Sequence, residues 1–433
     1  MLPLATVPPC LFEMLQACRG VFSAPGFATF VVLVVGALGA VGPRTITGIW
    51  AATGLAGRLH WSRAHRFFSE TRWDPDSLGL HLAQLAVSLF VAAGAPVTLA
   101  VDDTLFHRYG KLVYGAAWQH DGSAKGRDGI GRGNCFVVVG LVVSVPFMAR
   151  AVLLPVLFRL YTPGDGPSKT EHARTMVNLL SRALSQRRVH VVADALYRGP
   201  AWRNLPGNVT FTTRLASTAV LYGPPPQPTG KRGHPAWKGP RLGTPTEIAA
   251  TTTAWRKTTV TRYGQTGVVL LADIGCLWWG SLHRTPLRLI LVRDLDRHRR
   301  DLALITTDLV TSAPDLVARY CARWSIEQTI KDGKDLLGVG DAQNRLPRAV
   351  QRTVPFMLLT LTILVCWYAQ FGDPAIDLTQ RRGAARWYRR KTTISVTDML
   401  IAFRRARITT VHTAQPTPDL NNHATVTSTT KAA

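Results

Sequence analysis

Apolar and polar positions divide the chain into regions of different period. Over residues 1–90 the apolar positions recur at helical spacing. Within this region Arg58, His60, Arg63, His65 and Arg66 cluster on a basic segment. The pair Thr53-Gly54 divides that segment into two short helices, arranged either as a helix-turn-helix or as a plain basic helix pair. From Pro96 the pattern becomes extended. The runs 97–103 (VTLAVDD), 112–118, 136–147 and 149–161 read as strands, 169–186 as a helix with Met176, Val177, Leu180 and Leu184 on one face, and 189–194 (VHVVAD) as a short buried strand. Residues 207–300, rich in Thr, Val and Trp with repeated turn signals, read as mostly β, and helical spacing resumes near Ala313. Strands, a helix, a further strand and a late helix predict an α/β fold built on a mixed sheet.

Charge narrows the function classes. The 433 residues hold 51 Lys and Arg against 26 Asp and Glu, a formal net charge of +25. Such an imbalance suits a polyanionic partner, nucleic acid or an anionic membrane surface, rather than a small-molecule enzyme. A Pro/Gly-rich loop at 223–243 carries Lys231 and Arg232 and no acid, and reads either as a simple exposed cationic loop or as one that tracks DNA. The six cysteines form no C-x-x-C pair, which argues against a zinc site or a disulfide framework. Two uncharged apolar runs, 27–41 and 355–371, fall short of the ~20 residues that a membrane span prefers. Both are expected to be buried helices, with a membrane anchor as the alternative for the first.

The chemistry rests on a few acids. Two apolar strands run into aspartate, at Asp102-Asp103 and at Asp194, where a sheet edge can present a carboxylate rigidly to a hard cation. A third acid lies in the segment ARYCARWSIEQTIKDGKDLLG, where Tyr320, Arg323, Glu327 and Lys334 stand at offsets 0, 3, 7 and 14. At about 100° per residue these four share a sector of roughly 60° on one helix, spread over roughly 21 Å. A solvated face with i,i+4 support between Arg323 and Glu327 is the simpler reading. The apolar neighbours Trp324, Ile326 and Ile330 imply instead a packed helix whose polar stripe faces phosphate.

The spacing Y-x2-R-x3-E-x6-K, with Trp324 directly after the arginine, resembles the signature of bacterial insertion-sequence transposases of the DDE superfamily. The strand ending in Asp103-Thr104 looks like the first catalytic aspartate of that family, and VVADALYRG looks like the second, Asp194. The resemblance covers residues 95–345 and implies an RNase H-like catalytic core with a β-rich insertion before the helix that carries the third acid. Asp103, Asp194 and Glu327 would then ligate two Mg²⁺ (or Mn²⁺) ions. Tyr320, Arg323, Trp324, Lys334, Lys231 and Arg232 would contact DNA. Strand alternation sends Asp102 and Asp103 to opposite faces, so Asp102 is either a supporting residue or the ligand itself. Trp278 and Trp279 are candidates for stacking an extruded base.

Six regions follow: a helical N-terminal region at 1–92 suited to binding DNA ends, the core at 93–206 and 301–372, the insertion at 207–300, a basic helical region at 373–411, and a tail at 412–433 without hydrophobic periodicity, read as disordered. The expected protein cleaves transposon ends and joins the freed 3′-hydroxyl to target DNA, as a homodimer in the bacterial cytoplasm at the nucleoid, with no membrane and no small-molecule cofactor beyond metal. The rival readings are a non-catalytic DNA-binding protein, a membrane-associated protein and an inactive transposase relic.

Overall fold

The computed structural model describes residues 6–122, 129–227, 236–295 and 301–414. Five helices open the chain: α1 (Pro9–Leu15), α2 (Ala24–Gly39), α3 (Ile46–Ala52), α4 (Ser62–Ser69) and α5 (Pro75–Phe90). Side chains cap three of them, Ser23 accepting from the Gly26 N–H, Thr45 from Gly48 and Asp74 from Ser77, which satisfies amides that the helix leaves free. The chain does break at Thr53-Gly54, where Gly54 takes a φ of +77°. Residues 53–61 then separate α3 from α4, too many for the tight turn of a helix-turn-helix.

Next come β1 (Val97–His107), β2 (Ala117–His120), β3 (Ile130–Val143), β4 (Val152–Tyr161), α6 (Lys169–Ala183), β5 (Val189–Ala193) and β6 (Val209–Arg214). Gly115, with a φ of +65°, lies in a turn, so the strand expected at 112–118 begins only at Ala117. β3 pairs antiparallel with β1 and with β4, whereas β5 lies parallel between β1 and β6. A strand flanked on both edges and covered on both faces is mostly apolar, and all five residues of β5 are buried, His190 being the one polar exception. The spatial order β4-β3-β1-β5-β6 with these directions is the RNase H-like core, and the protein is a mixed α/β fold with helical flanks.

The following segment contains β7 (Leu221–Tyr222), β8 (Arg241–Gly243), α7 (Pro245–Thr251), β9 (Arg256–Arg262), β10 (Gln265–Cys276), α8 (Trp279–Leu282), β11 (Leu287–Asp294) and β12 (Leu302–Thr306). β12 pairs antiparallel with β6, and β11, β10 and β9 follow outward, so one sheet runs β2-β3-β1-β5-β6-β12-β11-β10-β9. The sequence assigns all of 207–300 to an insertion. In the structure β6 pairs with β5, and the strands after it extend the same sheet. Period identifies a strand but not its neighbour, which is why the two were not separable by pattern.

The chain ends in α9 (Ala313–Ala322), α10 (Ser325–Leu337), α11 (Pro347–Phe371), α12 (Pro374–Ala384) and α13 (Val396–Ala414). α11 packs against β4, α2, α4, α5 and α13 and is the central helix of the core. It is long and apolar enough to cross a membrane, yet 83% of its apolar window is buried within the protein. α2 is likewise buried along most of its length. α5 lies so close to β4 that a Cβ on Gly79 would stand 1.8 Å from the Val156 carbonyl oxygen, so only glycine fits there.

Candidate active site

The sheet brings the first two acids together by register. β1 does not end at its aspartates but continues to His107, still paired with β3. What ends is β5, whose last parallel pair with β1 is Val101 with Ala193. Asp102 and Asp194 therefore occupy the next positions on adjacent strands. Beyond Asp194 the chain enters a 3-10 turn, Ala195–Tyr197, and the Thr213 hydroxyl donates to the Asp194 carbonyl at 3.0 Å. The last pair between β5 and β6 is Ala193 with Thr213, which sets the exposed Arg214 beside Asp194 on the other side.

The third acid comes from α10. The single helix expected from Tyr320 to Lys334 is two helices, α9 and α10, joined at Arg323 and Trp324. Both junction residues keep right-handed helical angles, but the amides of Arg323, Trp324, Ile326 and Glu327 bond three residues back, a tightened 3-10 turn. Arg323 thus points at the sheet. Its Nη1 donates to Asp102 Oδ2 at 3.1 Å, and its Nη2 lies 3.7 Å from Glu327 Oε1. Tyr320 is buried, and burial pushes its hydroxyl up to about 12. Trp324 is half exposed and meets the Tyr263 ring edge-on at 6.1 Å. Lys334 donates to the Leu105 carbonyl at 3.1 Å and sits over the Phe106 ring.

Electrostatics tie the cluster together. Burial pushes the Asp102 carboxyl up to about 6; Arg323 and the Asp103 N–H work against that shift, and the charges of Asp103 and Asp194 add to it. Partial burial raises Glu327 above the ordinary carboxylate range, with Arg323 opposing and Asp194 reinforcing. Arg323 feels Asp102, Tyr320, Asp194 and Glu327, and together they outweigh the burial that alone would lower its pKa. Asp102 and Glu327 accordingly contact one guanidinium, on which the charge of Asp194 also acts.

Asp103 faces the other way, as alternation along a strand requires. The Tyr197 hydroxyl donates to its Oδ1 at 2.9 Å, and Lys169 Nζ lies 2.6 Å from its Oδ2. Burial works against the Lys169 ammonium, but the hydrogen bond and charge of Asp103 hold its pKa above the ordinary lysine value.

The sequence model of one protein family, described as DDE superfamily endonuclease, matches residues 22–267, more than half of the chain. The chain belongs to this family. No curated protein matches it. An endonuclease of the DDE superfamily acts on DNA, as the net charge of +25 also suggests, and such domains generally use divalent metals. The matched stretch contains Asp102, Asp103 and Asp194 and ends before Glu327.

The acids of this DDE endonuclease suit a hard divalent cation in kind: three carboxylates, with neither thiolate nor imidazole among them. Among the described residues no three His, Cys, Asp or Glu side chains stand close enough to hold an ion as they are, and the positive charge between the acids is that of Arg323. Lys231 and Arg232 lie outside the described residues, as does the tail from residue 415. Trp279 begins α8 in the segment after β6, and Trp278 directly precedes it. Trp279 stacks on His283 with ring centroids 5.7 Å apart, and Lys238 lies over the rings of both Tyr222 and Trp279. The sequence reading missed Arg214, Tyr197 and Lys169. Arg214 carried a usable signal, a cation ending the strand beside an acid-terminated one. Lys169 and Tyr197 carry none, because side-chain partners distant in sequence leave no mark in local spacing.

Proposed function

We propose that this DDE endonuclease is a transposase that cleaves the ends of a mobile DNA element and joins the freed 3′-hydroxyl to target DNA. The reading is carried by the adjacency of Asp102 and Asp194 at the end of β5, with Glu327 brought to them through Arg323. On this reading the first ligand is Asp102 rather than Asp103, because Asp102 shares a face with Asp194 and Glu327 whereas both oxygens of Asp103 are engaged elsewhere.

Mg²⁺ or Mn²⁺ bound by Asp102, Asp194 and Glu327 would activate the attacking oxygen and stabilise the leaving one. The protein supplies the rest. The buried β-sheet fixes two carboxylates so that little reorganisation is needed. Arg323 neutralises Asp102 and Glu327, which would otherwise repel each other and the phosphate. Arg214 and Lys334 flank the acids and hold the DNA backbone by charge, fixing register rather than reading sequence. Tyr320 keeps its proton at neutral pH and can donate a hydrogen bond to a phosphate oxygen. The basic α3–α4 region, with Arg58, Arg66 and Trp61 exposed, recognises the element's ends. Two ends must meet, so the working form is a homodimer on DNA in the bacterial cytoplasm.

The direct test uses the DNA flanking the gene. Short inverted repeats there, cut at their ends by the purified protein with Mg²⁺ but not with EDTA, are the expected result. Binding to those ends without any cleavage in Mg²⁺ or Mn²⁺ would reduce the protein to a DNA-binding role.

A further inference from the structure

Three regions outside the acids invite an account. A buried network of His190, Asp308 and Arg319 braces the opposite end of β5, with His190 also bonded to Thr210 and Thr212, so its polar groups are already satisfied within the fold. A cleft lined by Arg63, Arg66, Arg72 and His60 belongs to the DNA-end surface already proposed. The third region is the reverse face of β1, and it carries an inference.

Asp103 is partly buried against Lys169, Tyr197 and Cys135, on the face of the strand away from Arg323. Lys169 opens α6 directly after the Ser168 capping box and lies over the Tyr161 ring. Tyr197 closes the 3-10 turn that starts immediately after Asp194, and its side chain is fully buried. The hydroxyl of this rigid ring therefore links the turn carrying Asp194 to the residue next to Asp102. A second bond anchors the same turn, from Trp202 Nε1 to the Tyr197 carbonyl. An aspartate is costly to place even partly out of water, and its two oxygens are compensated by one hydroxyl, one ammonium and one thiol. A residue serving only to fill the space would be apolar.

We infer that Asp103, through Tyr197, is a positioning residue that fixes the Asp194 carboxylate beside Asp102, with Lys169 holding Asp103 in the required rotamer. The inference rests on the proposed ion site of Asp102, Asp194 and Glu327. It assigns to the second aspartate of the pair a role that neither metal contact nor DNA contact supplies. Groups that orient a metal ligand typically change affinity by 10–100-fold when removed, because the ligand must then be ordered at the expense of binding.

The test compares full-length Tyr197→Phe, Asp103→Asn and Asp103→Ala with wild type and with Asp194→Asn. Mn²⁺ binding is titrated directly by the electron paramagnetic resonance signal of the free ion, and amide hydrogen exchange is followed over residues 194–198 without metal. Tyr197→Phe and Asp103→Ala should each weaken Mn²⁺ binding about tenfold and speed exchange in the turn. The double variant should be no worse than either single one, because both remove the same bond. Asp103→Asn, which keeps an acceptor for Tyr197, should recover most of the affinity. Should Tyr197→Phe fail to fold, the contrast between Asp103→Asn and Asp103→Ala carries the same comparison. Unchanged Mn²⁺ affinity in Tyr197→Phe and Asp103→Ala, with or without faster exchange, overturns the inference. Failure of the underlying ion site looks different: wild type and Asp194→Asn would bind Mn²⁺ equally poorly, and the positioning role would fall with it.

Discussion

Asp102 on β1 and Asp194, directly after β5, stand side by side, one residue past the final parallel pair of Val101 with Ala193. Parallel pairing sets this neighbourhood through backbone hydrogen bonds, so substitution of either side chain leaves the strands in register. Asp102→Asn, Asp194→Asn and Glu327→Gln should each retain DNA-end binding in a gel-shift assay while lowering cleavage by about a hundred- to a thousandfold, the scale expected when a stabiliser of transition-state charge is lost. Asp103→Asn should lower it far less. Cleavage at the wild-type rate by Asp194→Asn would remove the acid from the reaction.

Arg323 is the only positive charge seen to contact both Asp102 and Glu327 among the described residues. Replacing it by Ala leaves a partly buried carboxylate without its hydrogen bond, a loss of about 2 kcal/mol for a charged partner. Thermal melting in EDTA should show that loss. Saturating Mg²⁺ should restore much of it, because the ion then supplies the missing charge. Equal destabilisation with and without Mg²⁺ would separate Arg323 from the ion site.

Protons and metal compete for the same oxygens. Asp102 has its pKa pushed up to about 6 and Glu327 is also raised, so both hold protons at a pH where ordinary carboxylates have lost them. Mn²⁺ affinity should be level above pH 7 and fall as pH drops through about 6, by roughly tenfold per unit for one competing proton. A profile level down to pH 4.5 would mean that Asp102 is not a ligand.

Lys334 gives one of its three donors to the Leu105 carbonyl, leaving two for a phosphate. Lys334→Met should weaken end binding and reduce the slope of log affinity against log salt by about 1. A lower melting temperature with an unchanged slope would make the residue structural alone.

The sequence made much of this legible, for identifiable reasons. β4, α6 and β5 are readable because burial leaves a pattern: the continuous apolar run of residues 152–158, helical spacing, and the short run 189–193, apolar apart from His190. The acids were findable because charge next to such a run is costly unless it has a use. The choice between Asp102 and Asp103 was not legible, since it depends on which face of β1 meets α10, a tertiary fact. The place of β6 was hidden for a similar reason, because pairing partners leave no mark in local pattern. The break at Arg323 and Trp324 escaped too, as neither residue is a helix breaker and only hydrogen bonds to the third preceding residue reveal the turn.

Glu327 is joined to Asp102 through Arg323, from a helix that follows every described strand of the sheet. During synthesis the ribosome therefore releases two of the three acids long before the last, and a nascent chain interrupted ahead of α10 holds an incomplete centre. On the proposed ion site, unfinished copies would hold DNA by charge and lack the acid needed to cut it.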